Sequence, residues 1–255
     1  SLWITNERSD TITVVHPTAC KNIKKINFQK GSLPYGIIFD PKGDFGYLTM
    51  QGTGELLKLS PDGDILDKIK LSKNIRDLSI SGDSKIIYVS KFISDDNYGT
   101  VYKISTDEFK LIESIKVNID PGPDTAVSGR GKSNYLGPLV ISPDGKKALI
   151  PSKKDNIFRG ELIDGNDLNF ESTVRSIVSY VDLRKSEELI IKRNDLNDRA
   201  LPRDILFSKF GDIYFVISQG SNQIDVFETE NNKFVTSFYV GDAPDSAILD
   251  QSGTR

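Results

Sequence analysis

One cysteine and one histidine in 255 residues close off a good deal of chemistry. With Cys20 alone the chain forms no internal disulfide and offers neither a four-cysteine zinc site nor a paired-cysteine redox motif. With His16 alone there is no histidine-rich metal cage and no HExxH helix, and a catalytic triad would have to take His16 as its base. Basic excess is lacking too. Lys and Arg number 33 against 36 Asp and Glu, a net charge of −3, so the phosphate neutralisation that nucleic-acid binding needs is not provided. No apolar run reaches the roughly 18 residues of a membrane-span candidate. The opening SLWITNERSD reads as structure rather than as a signal peptide. A site built from carboxylates, arginines and backbone oxygens stays open.

What is present is a repeat. Apolar triplets precede turns of Asp, Ser and Gly five times: Ile37-Ile38-Phe39, Leu78-Ser79-Ile80, Leu139-Val140-Ile141, Ile205-Leu206-Phe207 and Ala247-Ile248-Leu249. Their last residues are 41, 61, 66 and 42 apart, so a period of about 41 is interrupted by insertions of about twenty and twenty-five residues. After each of the first four turns comes a second short strand, then a third and a fourth, rich in β-branched and aromatic residues. Four strands per repeat of this length predict an all-β fold, a β-propeller of four-stranded antiparallel blades, five of them visible.

We read residues 1–255 as a single propeller domain. Blade one, 2–28, is expected to be closed by 245–250; further blades lie at about 36–70, 77–117, 138–194 and 203–240, with insertions at 118–137 and about 158–180. A ring of more blades in a longer protein is the alternative.

The second strands such as LWITN, the PDG turns, and the third strands led by polar residues as in SQGSNQIDVF resemble the YVTN family of β-propellers. Residues 135–208, including YLGPLVISPDGKKALIPSKKDN and RNDLNDRALPRDILFS, are more narrowly similar to propellers fused to di-haem cytochrome c peroxidase-like domains. That resemblance implies a periplasmic or extracellular location and a protein partner or fused haem domain. Haem would belong to the partner, because this chain has no CxxCH motif.

Candidate sites divide into two groups. The innermost strands of a propeller line its channel, so residues where first strands begin are channel and ligand candidates: Arg76, Asp77, Arg203, Asp204 and Asp245. They would form either a self-neutralising ring of charge or a pocket for a small anion, a sugar or a metal. The long hairpin of blade four supplies partner-interface candidates: Lys153, Lys154, Asp155, Asn156, Arg159, Arg175, Arg193 and Asp195; their alternative role is structural, covering the sheet edge and pairing Arg with Asp within the insertion.

Other motifs read as structure. The P-loop-like run Ala126 to Ser133 has no helix to follow it, and is read as a flexible loop inserted before blade four. The acidic group Asp164, Asn166, Asp167, Asn169 and Glu171 misses the spacing of a calcium loop. His16 with Cys20 supplies too few ligands for a metal shell, and Trp3 reads as blade packing.

No catalytic residue is assigned, and the expectation is a non-catalytic binding or scaffold propeller that carries no cofactor and docks a redox domain or another protein. The alternatives are a propeller lactonase or hydrolase with a carboxylate-bound divalent metal such as Ca²⁺ in its channel, and a surface-layer or adhesion module.

Overall fold

The computed structural model describes residues 1–158 and 170–250. A three-stranded sheet comprises β1 (Leu2–Asn6), β2 (Thr11–His16) and β3 (Lys21–Asn27). The next, four-stranded, comprises β4 (Pro34–Phe39), β5 (Gly46–Met50), β6 (Glu55–Leu59) and β7 (Ile65–Lys70). A second four-stranded sheet holds β8 (Ile75–Ile80), β9 (Ile86–Lys91), β10 (Tyr98–Ser105) and β11 (Lys110–Asn118). Blade four is enlarged to six strands: β12 (Lys132–Asn134), β13 (Val140–Ile141), β14 (Lys147–Asp155), β15 (Val174–Asp182), β16 (Glu187–Glu188) and β17 (Asn194–Leu196). The last sheet is β18 (Pro202–Phe207), β19 (Ile213–Ser218), β20 (Gln223–Glu228) and β21 (Phe234–Tyr239). The fold is the all-β propeller that the repeat predicts.

The contacts group into two compact units, residues 1–92 with 102–114, and residues 93–101 with 115–255. In the first, Tyr47, Leu56, Ile75, Ile87, Val89, Ile104 and Phe109 form one buried cluster, and Ile12, Val14, Leu48, Met50, Leu57 and Leu59 form another. Trp3 packs against the second of these, edge-on to Phe39 at 5.1 Å between ring centroids. In the second unit Leu149, Val178, Ile205, Tyr214, Val216 and Phe227 are the centre of the core. Each such side chain, once removed from water, contributes about 1.5–3 kcal/mol. The fourth strands β3, β7 and β21 are almost wholly exposed. Lysines on β3 and β7 discourage those edges from pairing with other chains.

The physical basis of the repeat is one hairpin made four times. Asp40, Ser81, Ser142 and Ser208 donate their N–H to the carbonyls of Phe45, Ile86, Lys147 and Ile213, and accept from the N–H of Gly43, Ser84, Gly145 and Gly211. The residue three places on lies at φ +77°, +61°, +67° and +72° in turn, a left-handed backbone that glycine adopts without steric cost and Ser84 adopts with some.

Two expectations meet a different structure. Residues 245–250, expected to complete the first sheet, carry no strand; Ala243 stands at φ +50°, Pro244 lacks an N–H for a ladder, and the Asp245 and Ser246 side chains bond to the entry of β18. The segment read as a flexible loop before blade four is instead tied down. Asp120 and Gly131 form a bridge, and β12 pairs with β14, Lys132 opposite Asp155.

Candidate functional site

The first strands share an irregularity at one offset. Between Pro34 and Ile37, between Ile75 and Leu78, and between Pro202 and Asp204, the first strand carries one residue more than its partner, a β-bulge. Bulges re-aim side chains at the ends of sheets. The residues so displayed are Tyr35-Gly36, Arg76-Asp77 and Arg203-Asp204, and the last repeat has Asp245-Ser246 at the matching offset. Arg76, Asp77 and Arg203 thus lie within such bulges, Asp204 resumes the register opposite Ile217, and Asp245 stands at the matching sequence offset outside any strand.

In the second unit these positions meet one another. Arg203 Nε donates to Asp245 Oδ1 at 3.0 Å, and Gln219 Nε2 donates to the same oxygen at 3.2 Å. The Ser246 hydroxyl donates to Asp204 Oδ2 at 2.6 Å, while Oδ1 accepts the N–H of Ile205 at 2.8 Å. Burial pushes the Asp204 carboxyl above the ordinary aspartate range despite these hydrogen bonds, and the Asp245 charge adds to the push. Gln219 carries no sequence signal; it lies outside the repeated offset.

In the first unit Arg76 is held between aromatic faces, its guanidinium carbon 3.6 Å from the Phe92 ring centre and 4.8 Å from that of Tyr35. Its Nε donates to Gln51 Oε1 at 2.6 Å. Asp77 follows at the same bulge with its Oδ2 buried. The β4 and β8 backbones come close because Gly36 has no side chain: a Cβ there would lie 2.4 Å from the Arg76 carbonyl oxygen.

The blade-four candidates gather into a buried ionic network. Lys154 is 1 % exposed, and its ammonium lies 2.8 Å from both Asp120 Oδ2 and Asp195 Oδ2. Arg193, equally inaccessible, pairs with buried Glu188 at 2.6 Å and with Asp120 at 3.7 Å. Arg175 bonds Asn197 and lies 3.6 Å from Glu171 and 3.9 Å from Asp195. Lys153 pairs with Asp155 at 2.9 Å and covers the Tyr135 ring, while Asn156 donates to Asp124. Lys154, Arg175 and Arg193 therefore spend their charge inside the blade rather than on its surface. Asp120, Asp124, Glu188 and Asn197, missed in the sequence, complete the set. Arg159, and the acidic group except Glu171, lie outside the described residues.

A cleft of about 360 Å³ opens among Asp40, Asp44, Lys58, Asp83 and Asp107. Burial, reinforced by the charges of Asp40 and Asp107, pushes the Tyr47 hydroxyl there up to about 12. Among the described residues no three Asp, Glu, His or Cys side chains converge as a metal shell would require. Among the described residues no helix is long and apolar enough to cross a membrane.

No protein-family model and no curated protein matches the sequence. Solved structures do. Hydrazine synthase of Kuenenia stuttgartiensis superposes with a TM-score of 0.80 at 16% identity, over 98% of this chain and 74% of that one. The periplasmic gluconolactonase of Pseudomonas aeruginosa gives 0.66 at 16% identity, over 96% and 68%. A provisionally assigned 6-phosphogluconolactonase of Bacteroides uniformis gives 0.62 at 16% identity, over 96% and 71%. At such identity the likeness shows the fold, and the fold is a β-propeller. The presence of enzymes of the lactonase kind among these neighbours corrects the expectation of a non-catalytic scaffold and turns the reading toward the hydrolase alternative.

Proposed function

We propose that the chain is a propeller hydrolase of the lactonase kind, opening a small polyhydroxylated lactone at the bulged entry of β18. The observation that carries this reading is the Asp204 carboxyl, which burial pushes above the ordinary aspartate range and which is set beside the Arg203–Asp245 pair. A group whose pKa is raised toward the working pH suits proton transfer.

Water adds to the lactone carbonyl carbon as its proton passes to the Asp204 carboxylate. Positive charge from Arg203, oriented by Asp245 and Gln219, stabilises the oxygen on which negative charge develops. The ring C–O bond then breaks, the proton returns from Asp204 to the leaving alkoxide, and the hydroxy acid departs. Among the described residues no set of carboxylates converges there to hold a divalent metal. What supports a place in the YVTN group is the repeat itself, and what supports an exported location is the periplasmic neighbour. Kinship with the propellers of di-haem peroxidase-like proteins rests on residues 135–208 alone.

The test is proton release from a panel of γ- and δ-sugar lactones, followed with a pH indicator in weak buffer. We expect turnover above the spontaneous rate and a loss of about 10²–10⁴ in kcat for Asp204→Asn, the range of general acid–base catalysis. Spontaneous rates with wild-type protein across the panel, or full activity in Asp204→Asn, would overturn the proposal.

A further inference from the structure

Independently of the lactonase reading, we infer that Arg76 is the centre of a binding site for a small oxyanion, a phosphoryl or carboxylate group. Two facts about its surroundings need explaining together. The guanidinium is fixed with unusual completeness: Phe92 covers one part at 3.6 Å, Tyr35 approaches at 4.8 Å, and Gln51 holds Nε at 2.6 Å. Yet among the described residues no carboxylate is ion-paired with it. The other half-buried or buried arginines here follow the opposite rule. Arg130 pairs with Asp124, Arg193 with Glu188, Arg199 with Asp225, and Arg203 with Asp245.

Aromatic contact stabilises a guanidinium by about 0.5–2 kcal/mol and fixes its plane, but leaves its charge unneutralised. Holding Nε on Gln51 directs the paired Nη groups elsewhere, and such a fork matches two oxygens of a carboxylate or phosphate. The scaffold around it is built for close approach. Thr49 Oγ1 donates to the Arg76 carbonyl and accepts from the N–H of Gly36, so the backbone beneath the guanidinium is held by β4 and β5 together. An arginine needed only to pack β8 against its neighbour would not need its plane fixed from three directions.

The test is isothermal titration calorimetry of the full chain with inorganic phosphate, and separately with acetate, at constant ionic strength. Saturable heat with phosphate assigns the phosphoryl class, and with acetate the carboxylate class; either supports the site if Arg76→Gln removes it. Arg76→Lys keeps the charge but loses the planar fork, and is expected to weaken binding at least tenfold. Phe92→Leu is expected to weaken it several-fold. If Arg76→Gln does not fold, the Lys and Leu variants decide. No saturable binding of either anion to wild-type protein, or wild-type affinity in the variants that fold, overturns the inference.

Discussion

Arg203 and Asp245 lie 42 residues apart, at the same offset in consecutive repeats, and meet through a 3.0 Å hydrogen bond from Nε to Oδ1. Asp245 is 66% exposed, and an ion pair so open to water contributes less than about 1 kcal/mol to stability. Its value is orientation. Asp245→Ala should therefore leave the melting temperature nearly unchanged while lowering kcat/KM of the proposed lactonase reaction about tenfold, and Asp245→Asn, which keeps an acceptor oxygen, should recover part of that loss. Calorimetric melts alongside initial rates check both halves.

Asp204 makes the pH dependence specific. Its carboxyl titrates above 3.8, the ordinary aspartate value, chiefly because of burial. The folded state thus favours the protonated form. Stability from this group is fully present below pH 3.8 and is lost as pH rises through the higher folded-state value. Asp204→Asn should therefore stabilise the protein at neutral pH and show no such gain in acid, the reverse of its effect on activity. Urea titrations at several pH values read this out.

The Lys154 network should behave oppositely. Burial alone would raise the Asp120 carboxyl, but the Lys154 hydrogen bond and charge hold it below the ordinary range. Its contribution is present above pH 3.8 and disappears as pH falls through the lower folded-state value. Lys154→Met leaves two carboxylates without their ammonium and should cost about 3–5 kcal/mol. Adding Asp195→Leu to Lys154→Met should return part of that loss, measurable as a rise in the urea midpoint.

Gly36 offers a steric test. An alanine Cβ would stand 2.4 Å from the Arg76 carbonyl oxygen and 2.6 Å from Leu78 Cδ2, whereas at Gly82 nothing lies within 4 Å. Gly36→Ala should destabilise by about 1–3 kcal/mol, the usual cost of overpacking. Gly82→Ala should be near neutral, and the two melts compared directly decide it.

The propeller was legible because its signals are local: an Asp or Ser followed three residues later by a residue able to take a left-handed backbone closes each hairpin within a few positions. That same regularity placed Arg203 and Asp245 at one offset, with Asp204 next to the first, which is why three residues scattered over 43 positions could be named together. The blade-four network was legible only in part: Lys154, Arg175, Arg193 and Asp195 stood out, while Asp120, Asp124, Glu188 and Asn197 did not. Lys154 reaches back 34 residues to Asp120 and forward 41 to Asp195, and although the second separation matches the period, the three stand at no common position relative to the repeated triplets. Nor does sequence reveal that Asp204 is pushed above the ordinary aspartate range while Asp120 is held below it; burial and the neighbouring cation decide that, and both are tertiary.

The bulge that recurs in β4, β8 and β18 has a further consequence. In a regular strand every second side chain shares a face, so the residues near the entry would be bound by the same parity as the core residues below them. One additional residue resets that parity at a fixed point. Below it, Ile205 and Phe207 answer to the packed interior; above it, Tyr35, Arg76 and Arg203 answer to nothing in the core. Each of these three blades thereby presents an address whose occupant can change from aromatic to cation without rewriting the sheet that carries it, and new specificities can be written there one blade at a time.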